Sequence, residues 1–209
     1  MQRLFGNLKM NWLSVILFAV VTGVYTGAIM LFDILKDTSF QDIGISYEWW
    51  VIFAVIIVVN CEKNREAALK CFAFFLISQP LVFAVQVLFG PLSLYKAMYY
   101  YRAIWLPATF LTLPGGFIAY YCKKQNMLGA VILGLGNAIQ ASLGVFYIGQ
   151  AINSFPHHLL SGIVCFSSIF LMSFQIQKEK KYRLISILIS LVLTVIAIIL
   201  LKLTGRTFI

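Results

Sequence analysis

Seven apolar stretches run through the chain, near positions 12–32, 47–61, 67–89, 103–122, 127–152, 158–174 and 184–203, with only short polar gaps between them. A helix crossing a bilayer needs about 20 mostly apolar residues, because a rise of about 1.5 Å per residue must cover roughly 30 Å of hydrocarbon. The second stretch is short for this task and must either run untilted or begin within 43–47. Composition points the same way. The chain is 61% hydrophobic and only 11% charged, whereas a soluble domain is about a quarter charged. So little polar surface cannot coat a water-facing globule of 209 residues. The expected fold is all-α: a polytopic integral membrane bundle of seven transmembrane helices forming one domain over 1–209. The first apolar run follows Arg3 and Lys9 as in a signal peptide, but it is too long for an h-region and no A-x-A site follows, so a retained first helix is expected.

The gaps differ in charge. Arg3, Lys9, Lys63, Arg65, Lys70, Lys123, Lys124, Lys178, Lys180, Lys181 and Arg183 fall at the amino terminus and after spans 2, 4 and 6; Lys36, Lys96, Arg102, Lys202 and Arg206 fall on the other side. The positive-inside rule then places the amino terminus in the cytoplasm and the carboxyl terminus outside. Tyr47, Trp49, Trp50, Tyr99, Tyr100 and Tyr101 mark the outer interface, and Tyr120 and Tyr121 the inner one. The net charge of +9 reads as topology and headgroup attraction rather than nucleic-acid binding, because no basic run is interleaved with aromatics for base stacking. Cys61, Cys71, Cys122 and Cys165 show no CxxC and no ligand spacing, and read as small apolar filler.

Polar groups inside a bilayer are costly unless paired, so they are the first candidates for function. Gln79 and Gln86 are seven apart on span 3, and Asn137 and Gln140 three apart on span 5, so each pair shares a helix face. They form a candidate substrate-binding set if spans 3 and 5 meet; the plain alternative is interhelical bonding. Span 4 carries Pro107, Pro114, Gly115 and Gly116, a candidate helix break or gate, or a static kink. Gly23, Gly27, Gly136 and Gly144 are expected to let helices pack closely. A weak likeness between 23–29 and 144–152 hints at a parallel repeat relating spans 1–3 to spans 5–7.

His157 and His158 head span 6, and Asp33, Asp37, Asp42 and Glu48 line the first outer gap, but no converging ligand pattern marks a metal site. HExxH, G-x-S-x-G, Walker and dinucleotide motifs are absent. No catalytic residue, metal or cofactor is expected, and the chain does not read as an enzyme. The leading expectation is a small-solute transporter or permease-like substrate-binding subunit with its site between spans 3, 4 and 5. The alternative is a non-transporting accessory or scaffold subunit, and an intramembrane enzyme is the weaker one, which would bring His157 or His158 within reach of Ser161 or an outer carboxylate. The expected partners are the lipid bilayer, a small solute, and a second copy or a membrane subunit. The expected location is a cell membrane, bacterial inner or plasma.

Overall fold

The computed structural model describes residues 8, 10–36, 38–45 and 47–203, and the side chains of these except at 43–48, 201 and 202. Arg3, Lys9, Asp37 and Arg206, and the side chains of Tyr47, Glu48 and Lys202, lie outside the described residues. Among the described residues the regular elements are all helical: α1 (Trp12–Ile29), α2 (Ser39–Ile45), α3 (Tyr47–Val59), α4 (Asn64–Phe89), α5 (Leu94–Tyr100), α6 (Leu106–Ala119), α7 (Met127–Asn153), α8 (Leu159–Ile176) and α9 (Lys180–Leu203). A π-helical turn, Tyr101–Trp105, joins α5 to α6, and a 3-10 turn, Tyr120–Lys123, follows α6. Six helical stretches are long and apolar enough to cross a membrane: Trp12–Ile29, Asn64–Phe89, Leu94–Lys123, Met127–Asn153, Leu159–Ile176 and Lys180–Leu200.

Side-chain caps fix several helix starts. Asn11 accepts from Ser14 N at 2.8 Å and Asn126 from Gly129 N at 2.9 Å, each satisfying a backbone donor that the first turn leaves open. At α4 the Glu66 carboxylate accepts from Glu62 N at 3.0 Å. The 90–102 segment, expected as a loop before span 4, is largely helical. Ser93 caps α5 through Lys96 N, and no helix breaker follows until Pro107. Proline cannot donate to the ladder. The wide turn just before it, in which Leu106 N bonds Tyr101 O, takes up the irregularity. Beyond it the chain stays helical through Pro114, Gly115 and Gly116.

Two three-helix groups emerge from the glycine contacts. A Cβ on Gly23 would lie 2.6 Å from Ser78 O, and one on Gly27 would lie 2.7 Å from Val85 Cβ, so α1 and α4 run backbone to backbone and in the same direction. A Cβ on Gly134 would meet Ile189 at 2.8 Å, and Thr194 Oγ1 donates to Ala138 O at 3.5 Å, which makes α7 and α9 a second parallel pair. The antiparallel α8 closes on α7 where Gly144 meets Cys165 and Gly162 meets Ile148. The α6 helix leans on α4 where Gly116 meets Ala68 and Phe72 meets Phe110.

The short α3 lies between the groups. Trp50 and Phe53 pack with Phe18, Phe74 and Phe75 of α1 and α4. Ile52, Val55 and Val59 pack with Leu133, Met172 and Ile176 of α7 and α8. Large apolar side chains such as Leu13, Leu17 and Val21 on α1, and Leu184, Leu188 and Leu191 on α9, stay exposed, while Thr22, Gly23 and Thr26 are buried. Big apolar residues outside and small polar ones inside suit a lipid solvent, because helices in lipid associate through close packing and hydrogen bonds.

Candidate functional site

Call the end bearing α2 and the α7–α8 turn the upper end, and the end bearing the α3–α4 and α8–α9 turns the lower. At the upper end Asp42, only 8% exposed, reaches from α2 to the start of α8. His158 Nδ1 lies 2.9 Å from Asp42 Oδ2 and 3.1 Å from Oδ1. Ser161 Oγ donates to Oδ2 at 2.5 Å, and Ser161 N donates to Ser39 Oγ at 3.3 Å. His158 has left-handed backbone, φ 62°, a region histidine tolerates better than most side chains. Its ring stacks on Tyr147 of α7, centroids 5.8 Å apart. A buried carboxylate needs hydrogen bonds; here the imidazole and the hydroxyl sit within hydrogen-bond distance of it. The carboxylate sits in the middle, with Ser161 and His158 both directed at it, so this is a latch and not a serine–imidazole pair.

The lower end is tied through the Tyr120–Lys123 turn and the residues after it. Lys123 Nζ donates to Cys61 O at 2.5 Å and lies 4.5 Å from the centre of the Tyr120 ring. Asn64 Nδ2 donates to Tyr121 OH at 3.0 Å. On the other side Gln177 Nε2 donates to Cys122 O at 2.7 Å and Lys124 O at 3.1 Å. Gln125 donates to Ile176 O at 2.9 Å and accepts from Lys178 N at 2.6 Å. These donors satisfy carbonyls that helix ends leave open.

The four amides separate into two places. Gln79, 2% exposed, has no hydrogen-bond partner for Nε2 among the described residues. Gln86 Nε2 lies 2.9 Å from Met30 Sδ. Both belong to the α1–α4 side. Asn137 Nδ2 donates to Ser173 Oγ at 2.9 Å, and Ser186 Oγ to the same oxygen at 3.4 Å, so Asn137 joins α7, α8 and α9; Gln140 is fully buried in that group. The helices α4 and α7 do not pack along one another. Four cavities of about 440, 370, 560 and 570 Å³ lie against described residues, and none of the four is lined by these amides. Gly23, Gly27 and Gly144 sit at tight contacts, while Gly115 and Gly136 have open space beside them. Replacing Asn137 by leucine is expected to cost about 1 kcal/mol, the size of an interhelical hydrogen bond in a membrane. Chemical unfolding in mixed micelles checks this, and an unchanged midpoint would remove Asn137 from the set that holds the helices together.

In the sequence Asp42, Ser161 and His158 are an outer carboxylate, a serine and a histidine that an enzyme reading would bring together, and the structure does bring His158 and Ser161 to Asp42. Gln125 and Gln177 carried no signal beyond being polar residues beside basic turns. Among the described residues no three His, Cys, Asp or Glu side chains converge on a metal position, and the four cysteines are free and buried. Fold and site together define a multi-pass α-helical membrane protein with a buried carboxylate joining its two helical groups. No family model, curated protein or solved structure matches the chain.

Proposed function

We propose that the chain is a small-solute transporter or permease-like binding subunit, made of two three-helix halves and described here with its path closed. The observation that carries this reading is the Asp42 latch. Asp42 lies outside the six membrane-crossing stretches, yet its carboxylate is buried against the start of α8 rather than left in water, which suits a contact that closes the outer mouth of a path. The parallel pair α1 and α4 anchors one half and α7, α8 and α9 form the other; α6 packs on α4 and α3 lies between the halves. The similar parallel pairing of α1 with α4 and of α7 with α9 supports a repeat of the kind transporters use. The solute path runs along the seam that α3 fills. In this reading α2 and α3 together make the seventh crossing, since the 13 residues of α3 reach only about 20 Å.

The lower end faces the cytoplasm. Lys63, Arg65, Lys70, Lys123, Lys124, Lys178, Lys180, Lys181 and Arg183 gather there, and the positive-inside rule supplies the direction. In this reading the amino terminus is inside and the carboxyl terminus outside, and the short loops favour a bacterial inner or plasma membrane. His158 within reach of the outer carboxylate Asp42 is also what the intramembrane-enzyme alternative expects; the transporter reading instead takes the Ser161 hydroxyl, which donates to that carboxylate, as part of a closure.

A specific observation favours the accessory-subunit reading as well: Asn137, Ser173 and Ser186 are used as interhelical glue. A thermal-shift screen of the solubilised protein against neutral and weakly polar solutes separates the two. The transporter reading expects a solute that raises the melting temperature, since a ligand at 100 times its Kd adds about 2.7 kcal/mol, and expects Gln79→Leu or Gln140→Leu to abolish the shift. No hit at millimolar concentration leaves the accessory reading standing.

A further inference from the structure

A second place on the molecule has the chemistry of a ligand site, and it lies away from both the latch and the seam. A groove of about 570 Å³ runs between the upper half of α4 and the α5–π-turn segment, within the roughly 300–1,000 Å³ usual for small-molecule sites. Pro80, Ala84 and Leu88 form one wall, Leu94 and Met98 the other, and Arg102 stands in it. Arg102 also lines a neighbouring cavity of about 440 Å³ with Tyr95 and Tyr99. The guanidinium makes no hydrogen bond, ion pair or ring contact with any described residue. Apart from Arg102 and Tyr101 the groove is lined by apolar side chains.

An arginine within a membrane-crossing stretch must find an anion or snorkel to the interface. Arg102 lies inside Leu94–Lys123, the crossing whose residues are least buried by the rest of the protein. It also sits in the π-helical turn, a local widening that often marks functional positions. An apolar slot open to the bilayer with one uncompensated guanidinium at its wall complements an amphiphile with an acyl chain and an anionic head. Guanidinium binds phosphate by paired hydrogen bonds.

We infer that this groove is a binding site for an anionic membrane phospholipid, its acyl chain lying along Ala84 and Leu88 and its phosphate held by Arg102. The exposed Lys96 one turn and a half earlier adds positive charge at the same end. The basic lower end attracts anionic lipid too, so the test must separate the two. Purified protein in neutral detergent is given phosphatidylglycerol or phosphatidylcholine, and the melting temperature is read. The wild type is expected to gain more from phosphatidylglycerol. Arg102→Gln and Ala84→Trp, which fills the slot, are each expected to lose that excess while melting normally in detergent alone. Arg102→Lys should retain part of it, and a Lys180→Gln, Lys181→Gln double variant should keep it. Inorganic phosphate at the same concentration should give no shift. An excess that persists in Arg102→Gln, or that disappears with the lysine pair, overturns the proposal. So does a measured mass showing a second copy seated over the groove.

Discussion

Gly23→Leu is expected to prevent stable assembly of the bundle. A Cβ at Gly23 lies 2.6 Å from the Ser78 carbonyl oxygen and 3.0 Å from Ser78 Cα and Leu81 Cβ. The nearest obstacles are backbone, which cannot rotate away as a long side chain does. To admit a leucine, α1 and α4 must separate, and the packing at Gly27 against Val82 and Val85 goes with it. Overpacking in a core costs about 1–3 kcal/mol when side chains can yield. With backbone in the way the cost should reach the top of that range or exceed it, against a total stability of about 5–15 kcal/mol. Gly115→Ala is the control: nothing lies within 4 Å of the added Cβ, and alanine is the better helix former by up to about 1 kcal/mol. Melting curves of the two variants in the same detergent decide the matter. A Gly23→Leu protein that melts with the wild type would mean that α1 and α4 are not in contact at this glycine.

Asp42→Asn is expected to open the upper end while leaving the helices formed. The substitution keeps the shape and an acceptor for Ser161, but it removes the charge that His158 faces at 2.9 Å. Losing hydrogen bonds to a buried carboxylate typically costs about 1.5–3 kcal/mol, and each 1.4 kcal/mol is about tenfold in a population. The loss should fall on local opening rather than on the whole bundle, because α2 is a seven-residue element separate from the long helices. The protein contains its own reporter. Cys165 lies one turn beyond Ser161 on α8 and is fully buried against Gly144. With Cys61, Cys71 and Cys122 changed to alanine, a polar maleimide should label Cys165 at least about tenfold faster in Asp42→Asn than in the parent. His158→Gln should move the rate in the same direction. Equal rates, with circular dichroism unchanged, would show that Asp42 does not gate access to α8.

Much of this architecture is legible in the residue pattern, and the illegible parts have physical reasons. The apolar runs mark the helices because lipid demands them, and Gly23 and Gly27, four apart, mark a face where another backbone approaches. Helix limits are harder. Gly90-Pro91 punctuates the chain, but the tyrosine-rich run from Leu94 onward contains nothing that stops a helix, so the fourth crossing starts well before the apolar stretch at 103. Pro114 reads as a break, yet the neighbouring turns hold it in a continuous helix. Periodicity groups Gln79 with Gln86 and Asn137 with Gln140, since that depends on one helix alone. Which helices become neighbours depends on tertiary packing, and α3 occupies the place where spans 3 and 5 would have met. The latch is legible as a set of residue types, a histidine, Ser161 and an outer carboxylate, but not as a choice among Asp33, Asp37, Asp42 and Glu48. Asp42 and His158 are 116 positions apart, and an acidic gap looks the same whether it is solvated or folded back on a helix end.

The two ends of the molecule are held together unequally. Below, one turn grips both halves: Lys123 and Tyr121 hold the α3–α4 side, and Gln125 with Gln177 holds the α8–α9 side. Above, the halves meet through a carboxylate, an imidazole and two serines. Mechanically this is a clothes-peg. The hinge-like ties are at the bottom, and at the top a few hydrogen bonds to one carboxylate hold the tips together.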